Sequence, residues 1–378
     1  MLSLGVFGRS RKKDEKRVPI HPKQFDWVDE GIRKQMFFET SYGVPFGMND
    51  NSIRSKFGGV MPREVLLDKC DIALLAKPSL EDFHEMKDGT IHWGWPHCVQ
   101  QTEVTQSAID KKLTLIAWEA MHSWSPEGNW QGHVFSKNNE IAGYAGILHS
   151  MNLMGIDGNY GQPQKAVVIS YGSVSHGAIH GLRTRGVNNI SVCTYPQSVP
   201  PKDQLEGISY YQMKPNLSGQ LLSIDKNGHS TSLIELLSEA DIIVNGILQD
   251  TDFPLMFVQS DEVNKLKPGT LIVDISCDEG MGFPFAIPTS FDNPILHFDR
   301  IHYYAVDHIP SYLWNAASWQ ISKSLIPYLP IVINGPGDWK KNQTLQRAIE
   351  IKEGRILNTK ILSFQNRSDK FPYPIGIE

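Results

Sequence analysis

The sequence predicts an α/β protein of two Rossmann-like domains, each a parallel sheet with helices on both faces, with a cleft between them. Three observations carry this expectation. Short apolar runs alternate with amphipathic stretches along most of the chain, the pattern of βαβ units. At 378 residues the chain exceeds what one ordinary core organises, so two domains are the default. One segment, Lys165 to Gly186 (KAVVISYGSVSHGAIHGLRTRG), reads as an apolar strand, a small-residue turn and a helix. Strand, tight turn and helix open a dinucleotide-binding fold, in which the helix N-terminus faces a pyrophosphate.

Taken in order, Leu2 to Phe7 is a short strand, Lys23 to Gly31 a helix and Gln35 to Glu39 a second strand. Arg63 to Asp68 suits a short helix, with Pro62 placed for its first turn. Asp71 to Ala76, Ile91 to Trp95 and Leu113 to Trp118 are buried-strand patterns that end at Lys77, at Pro96-His97 and at Glu119. Open α/β sheets bind ligands at the carboxyl ends of their strands, so three strands that each end in a polar or charged residue mark a candidate site. Residues 123–139 read as a Gly/Asn/Ser loop, and Glu140 to Met154 as a helix with small residues on one face, leading into a second domain. Beyond the βα turn, Ile190 to Thr194 is a strand and Pro196 to Gly219 is irregular. Ser232 to Ala240 is a helix, Asp241 to Ile247 a strand, Ser260 to Leu266 a helix, and Thr270 to Ser276 the most strongly buried strand pattern. From Pro310 the pattern reads as one long amphipathic helix passing back to the first domain. The expected boundaries are 1–140, completed by 312–378, for one domain and 141–311 for the dinucleotide-binding one.

Composition excludes several function classes. The chain is 40% apolar and 20% charged, with mean hydropathy −0.28, as expected of a soluble globular protein. A net charge of −5 and a pI near 6.2 argue against a nucleic-acid-binding surface. No apolar run approaches the roughly 20 residues needed to span a bilayer, and the N-terminus, MLSLGVFGRS, lacks the layout of a signal peptide. A cytoplasmic location without a membrane partner is the expectation, and a homo-oligomer is compatible with it. Cys70, Cys98, Cys193 and Cys277 lack C-x-x-C spacing, so reduced, buried thiols are expected and no metal-ligand set is read.

At the turn the usual G-x-G-x-x-G is degraded to S-Y-G-S-V-S, with Gly172 kept and Gly177 two residues further on. The cofactor-binding candidates are Ser170, Gly172, Ser173 and Val174, with Thr194 at the end of the second strand. Serine adds a side chain where a tight turn wants none, so the hydroxyls of Ser170, Ser173 and Ser175 are expected to donate to the pyrophosphate in an altered cradle. NAD sites place an acid at the end of the second strand for the ribose hydroxyls. Here Cys193-Thr194-Tyr195-Pro196 supplies none, and no arginine serves a 2′-phosphate unless Arg183 or Arg185 reaches round. NADP and NAD are both candidates, NADPH slightly favoured by the missing acid.

Eight separated segments then coincide in order: EKRVPIHP (Glu15–Pro22), LLAKP (Leu74–Pro78), GWPH (Gly94–His97), EIAGYAG (Glu140–Gly146), the βα turn, ADIIVNGI (Ala240–Ile247), KPGTLIVDISCDEG (Lys267–Gly280) and VDHIPS (Val306–Ser311). Together they resemble the alanine dehydrogenase/saccharopine dehydrogenase family, which includes the N5-(carboxyethyl)ornithine synthases. The resemblance implies an N-terminal substrate domain completed by C-terminal residues, with the nucleotide domain inserted. It also implies NAD(P)-linked chemistry at the carbon–nitrogen bond of an amino acid, with small-molecule partners, an amino acid and a 2-oxo acid. It carries the family's substrate arginine onto Arg17, its catalytic lysine onto Lys77, its catalytic histidine onto His97 and an acid near the substrate amine onto Glu119. The aspartate near the nicotinamide falls on Asp278 and the histidine of D-H-[IL]-P-S on His308. The AGYAG and VDHIPS stretches are similar to the saccharopine and carboxyethylornithine branch, implying an opine-type condensation of an amine with a 2-oxo acid, or its reverse. An alanine-type dehydrogenase using ammonia is the alternative within the enzymes, and a non-catalytic ligand-binding descendant the alternative outside them.

These residue types suit that chemistry. A guanidinium fork pairs both oxygens of a carboxylate, which fits Arg17. A strand-end lysine such as Lys77 is a candidate for a pKa lowered by desolvation, able to protonate an oxygen or bind a carboxylate. His97 moves protons near neutrality, and Glu119 orients the amine or tunes His97. Asp278 holds a ribose or positions the nicotinamide, and His308 faces the cofactor from a hinge. Each also has a plainer reading: a solvated arginine, a lysine leaving a strand, packed histidines, or carboxylates that cap turns.

Overall fold

The computed structural model describes residues 1–250 and 252–376. The chain divides into two compact units, Met1–Ser136 with Trp314–Glu378, and Lys137–Leu313. Each is an α/β unit with its own cores.

In the first unit the strands are β1 (Leu4–Val6), β2 (Met36–Glu39), β3 (Gly59–Met61), β4 (Ile72–Leu74), β5 (Ile91–Gly94) and β6 (Thr114–Ala117). They are all parallel, in the order β3-β2-β1-β4-β5-β6. That is the doubly wound order, with its switch point between β1 and β4. β4 and β6 are buried along their whole length, as strands covered by helices on both faces must be. A hairpin of β7 (His122–Trp124) and β8 (Trp130–His133) follows.

The second unit repeats the plan with β9 (Lys165–Ile169), β10 (Asn189–Thr194), β11 (Ile208–Pro215), β12 (Leu221–Ile224), β13 (Ser230–Ser232), β14 (Ile242–Asn245), β15 (Thr270–Asp274), β16 (Ile295–Phe298) and β17 (Ile301–Tyr304). The parallel strands run β11-β10-β9-β14-β15-β17, the dinucleotide-fold order, with the switch point between β9 and β14. The C-terminal segment returns to the first unit. Its helix Trp314–Leu325 buries Ile321 and Leu325, and β18 (Ile349–Lys352) pairs antiparallel with β6 and with β19 (Arg355–Ile356).

Several sequence expectations are corrected. The sheets are mixed, because β12, β13, β16, β18 and β19 add antiparallel edges. Residues 23–31 form a 3₁₀ turn (Pro22–Trp27) and a short helix (Glu30–Arg33), not one helix. Residues 260–266 give only the 3₁₀ turn Val263–Lys265. The predicted 123–139 loop contains most of the β7–β8 hairpin and the first turn of the helix Ser136–Leu153, and the irregular 196–219 stretch contains β11. The long helix from Pro310 is interrupted at Pro327 and Pro330, each of which lacks the N–H a continuous helix needs. Cys70, Cys98 and Cys193 are buried free thiols, whereas Cys277 is partly exposed. No helix among the described residues is long and apolar enough to cross a membrane.

Candidate active site

Lys77, His97 and Glu119 follow the carboxyl ends of β4, β5 and β6, three adjacent parallel strands of the first unit. Their loops are tied together. The Trp95 N–H donates to the Ala76 carbonyl at 2.8 Å, and the His97 N–H donates to Glu119 Oε1 at 2.7 Å. Gly94 is fixed by space, since a Cβ there would lie 1.9 Å from the Leu75 carbonyl oxygen. The Lys77 carbonyl accepts from Ser10 Oγ at 2.7 Å, and Ser10 in turn donates to buried Asp82.

His97 sits at φ +49°, a conformation uncommon outside glycine, with Nδ1 4.0 Å from Glu119 Oε1. The Glu119 side chain is a quarter exposed, yet its Oε2 is buried without a hydrogen-bond partner. Burial, then the nearby carboxylate of Glu350, hold its pKa well above the usual carboxylate range, while Lys77 pulls the other way. His133 presents Nε2 3.2 Å from the Glu119 carbonyl. Burial pushes its pKa down to about 4, so it is neutral at physiological pH.

Arg17 is not solvated. It is 5% exposed, lies 4.9 Å from the centre of the Trp95 ring and holds Glu15 bidentately, Nε to Oε1 at 2.9 Å and Nη2 to Oε2 at 2.5 Å. Sequence reasoning passed over Glu15. Its signal was spacing, because residues two apart in an extended segment share a face. Glu350 was also missed.

In the second unit β9 runs into the turn, where Ser170 sits at φ +91° and donates its N–H to the Cys193 carbonyl at 2.7 Å. The helix Ser173–Thr184 starts after Gly172 without a side-chain cap, leaving its first amides directed outward as an anion site requires. A Cβ on Gly172 would meet only Ser170 Oγ, at 3.7 Å, so the approach to these amides is open. Ser170 Oγ accepts the Gly172 N–H at 3.2 Å and keeps its own proton to donate. Ser175 corrects the expectation made for it: it is fully buried, its Oγ donates back to the Ile169 carbonyl at 3.5 Å, and it faces inward rather than toward a phosphate.

Beside the turn lies a cavity of about 340 Å³, lined by Ser170, Tyr171, Gly172, Thr194, Tyr195 and Asp203 among others. No lysine or arginine lines it. Arg183 and Arg185 do not reach round. They belong to the far end of a 12-residue helix, about 18 Å long at 1.5 Å per residue. There Arg183 binds the Glu206 carbonyl and Arg185 binds the Ile156 carbonyl. One carboxylate residue does line the cavity. Asp203 ends the 3₁₀ turn Pro201–Asp203, which is pinned by Tyr171 Oη donating to the Asp203 carbonyl at 2.8 Å.

At the carboxyl end of β15, buried Asp274 accepts from Asn245, Tyr303 and the amides of Ser276 and Cys277 at 2.9–3.2 Å. Burial pushes its pKa up to about 7. Those bonds hold Cys277 at φ +56° and set the position of Asp278, itself raised to about 6 by burial. His308 sits at φ +53° with its side chain 8% exposed, and both ring nitrogens are buried without a hydrogen bond. A buried imidazole that makes no hydrogen bond, its Nδ1 3.7 Å from Asp307 Oδ2, an open glycine over the first helix amides and a polar cavity beside them fit a dinucleotide. Among the described residues no cluster of three His, Cys, Asp or Glu side chains is placed to hold a metal ion.

Comparison with known proteins gives two adjoining profile matches, the second of which runs past the second unit into the C-terminal segment of the first. A family profile described as alanine dehydrogenase/PNT, C-terminal domain, matches residues 154–359, and its N-terminal-domain counterpart matches residues 8–142. The chain is 25% identical to an N(5)-(carboxyethyl)ornithine synthase of Lactococcus lactis subsp. lactis over 324 residues, 82% of this chain and 90% of that protein. It is 22% identical to alanine dehydrogenase 2 of Staphylococcus aureus strain Mu50 over 371 residues, 94% and 95% of the two chains. Among solved structures it superposes on an L-alanine dehydrogenase with TM-score 0.73 at 17% identity, covering 96% of this chain and 99% of that one. A transhydrogenase from Sinorhizobium meliloti gives 0.66 at 14% identity, covering 94% and 99%.

Proposed function

The chain belongs to the alanine dehydrogenase/PNT family, and from that premise we propose that it condenses the amino group of an amino acid with a 2-oxo acid reductively, or runs that reaction in reverse. It is an NAD(P)-dependent oxidoreductase acting on amino-acid carbon–nitrogen bonds. The observation that carries the proposal is the convergence of Lys77, His97 and Glu119 at the ends of three adjacent parallel strands. The carboxyethylornithine synthase relatives support condensation with an amine over use of ammonia.

Bound NAD(P) supplies or accepts the hydride. Arg17, braced by Glu15 and backed by Trp95, is the guanidinium that takes the substrate carboxylate. The amine attacks the oxo-acid carbonyl carbon, and the oxygen leaves as water after receiving two protons. His97 delivers protons at that oxygen and Lys77 stabilises the charge that builds there. Glu119 holds the His97 backbone and keeps the imidazole aimed. In the other unit, the turn amides hold the pyrophosphate, with Ser170 and Ser173 donating to it, Val174 contributing its amide and Thr194 walling the adenosine side. Asp278 and His308 meet the nicotinamide end.

Loss of absorbance of the reduced cofactor tests the reaction. Oxidation with a 2-oxo acid plus an amino acid, and none with the oxo acid plus ammonia, is the expected result; ammonia alone sufficing would establish the alanine-type reaction instead. On the cofactor, Asp203 in a cavity lined by no lysine or arginine favours NADH, because the hydroxyls of a ribose diol donate to a carboxylate that a 2′-phosphate would repel. Calorimetry should show NADH binding about tenfold tighter than NADPH, a difference of about 1.4 kcal/mol, and Asp203→Asn should narrow the gap. Equal affinities in the parent protein would refute this choice.

A further inference from the structure

β18 comes from the C-terminal segment, and its pairing with β6 is irregular. Ile349 faces Ile116 and Ile351 faces Leu115, so Glu350 is the extra residue of a bulge. Bulges re-aim a side chain without unmaking the sheet. Glu350 is thereby buried at 5% exposure, on the strand beside the one that ends at Glu119. One oxygen is accounted for, since Asn358 Nδ2 donates to Oε1 at 2.9 Å, while Oε2 is buried without a partner. Glu119 has the same asymmetry: Oε1 takes the His97 N–H and Oε2 is buried and unmatched. Two ionised carboxylates, one on β18 and one just past the end of the adjacent β6, each with a buried oxygen that makes no hydrogen bond, repel each other and leave lone pairs unsatisfied. A single proton answers both problems.

We infer that Glu350 is a positioning residue for His97, which shares one proton with Glu119 so that the pair carries one negative charge beneath the His97–Cys98 loop. Burial raises both carboxyls above their usual range, and the raised value for Glu119 includes repulsion from Glu350. The other groups facing the pair do not replace that proton. Lys77 acts on Glu119 from the end of β4, and the Cys98 thiol, raised by burial and by both carboxylates, brings no positive charge to the pair. His133 meets only the Glu119 carbonyl. On the strand pair bearing Glu350, Arg355 is exposed and lies over the Phe371 ring, and Lys352 is at the strand's partly exposed end. The consequence for catalysis rests on the reading of His97 as the proton-transfer group; the measurements below do not.

The test is Glu350→Gln. Its Oε1 still accepts from Asn358, and its amide can donate to Glu119 Oε2, so the fold is kept while the second carboxyl is removed. Carboxyls whose pKa is raised on folding favour the folded state at low pH and cost stability as pH rises through the folded value. Glu350→Gln should therefore melt above the parent protein near pH 8, with the gap closing toward about pH 4, the unfolded carboxylate range. Glu119, relieved of its like-charged neighbour, then carries the full negative charge, and the His97 imidazole, followed by NMR and assigned with His97→Asn, should titrate about half a unit higher. Glu350→Asp, which returns a carboxyl, should move both readouts back toward the parent. Parallel melting curves across pH would overturn the shared proton. An unmoved His97 titration alongside a changed melting curve would overturn the role toward His97.

Discussion

Replacing His97 by asparagine should lower turnover by about 10²- to 10⁴-fold, the range spanned by positioned general acid–base groups, and leave dinucleotide affinity as it is. Asparagine is the informative substitution because of the backbone. His97 sits at φ +49°, and asparagine is among the few side chains that adopt this region readily. The loop, its N–H to Glu119 and the link from Trp95 to Ala76 are therefore retained while the imidazole is lost. An unchanged melting temperature shows that the loss is chemical. Dinucleotide affinity, measured by fluorescence of the reduced cofactor, is the control, because the open turn and its cavity belong to the other unit. Lys77→Ala should cost a similar factor. The double variant should cost less than the product of the two, since groups that act together on one oxygen are not additive. Turnover within about threefold of the parent, a difference of about 0.65 kcal/mol, would remove His97 from the mechanism.

What could be read in advance follows a physical line. Parallel strands covered on both faces are apolar runs, and runs such as Ala166–Ile169 and Thr270–Asp274 stand out without tertiary knowledge. The residues just past those runs are legible for the same reason, which is how Lys77, His97 and Glu119 were singled out. Strands outside the doubly covered parallel core are different. β11 has only one buried residue, Met213, in a Pro/Ser-rich neighbourhood, and β18 hides a carboxylate where a buried strand should show an apolar side chain. Glu350 could not be found by pattern, because its burial depends on a bulge against β6, more than 200 residues away in the chain. Asp274 was masked in the opposite way: it lies inside the most apolar strand pattern, and it is kept there by Asn245 and Tyr303 from neighbouring strands together with the amides of Ser276 and Cys277. Asp203 is exposed on a short 3₁₀ turn, and its relevance comes from a tyrosine hydroxyl that pins that turn beside the βα turn.

The glycines of the turn separate two roles that the sequence pattern runs together, and Gly177→Ala should have the larger effect on stability. Its Cβ would lie 1.8 Å from the Glu140 carbonyl oxygen, and the reciprocal Gly143 would meet the Val174 carbonyl at 1.9 Å. The helices Ser136–Leu153 and Ser173–Thr184 thus touch backbone to backbone at the first turns of the second one. Backbone cannot rotate away as a side chain can, so a methyl group there must part the helices, at a cost at or above the upper end of ordinary overpacking, about 3 kcal/mol. For a unit of this size that is a fall of roughly 6–12 °C in melting temperature. Moving the second helix also moves the amides that hold the pyrophosphate, so dinucleotide affinity should fall with stability. Gly172→Ala is the counterpart. Its Cβ meets nothing closer than Ser170 Oγ at 3.7 Å, so stability should change by less than about 1 kcal/mol, the usual scale of an N-cap substitution. That methyl group nevertheless stands in the open approach to the helix amides, and dinucleotide affinity should drop by itself. If Gly172→Ala bound the dinucleotide as well as the parent, the phosphates would lie elsewhere. If Gly177→Ala melted with the parent, the tight helix crossing would not be what holds the cradle in place.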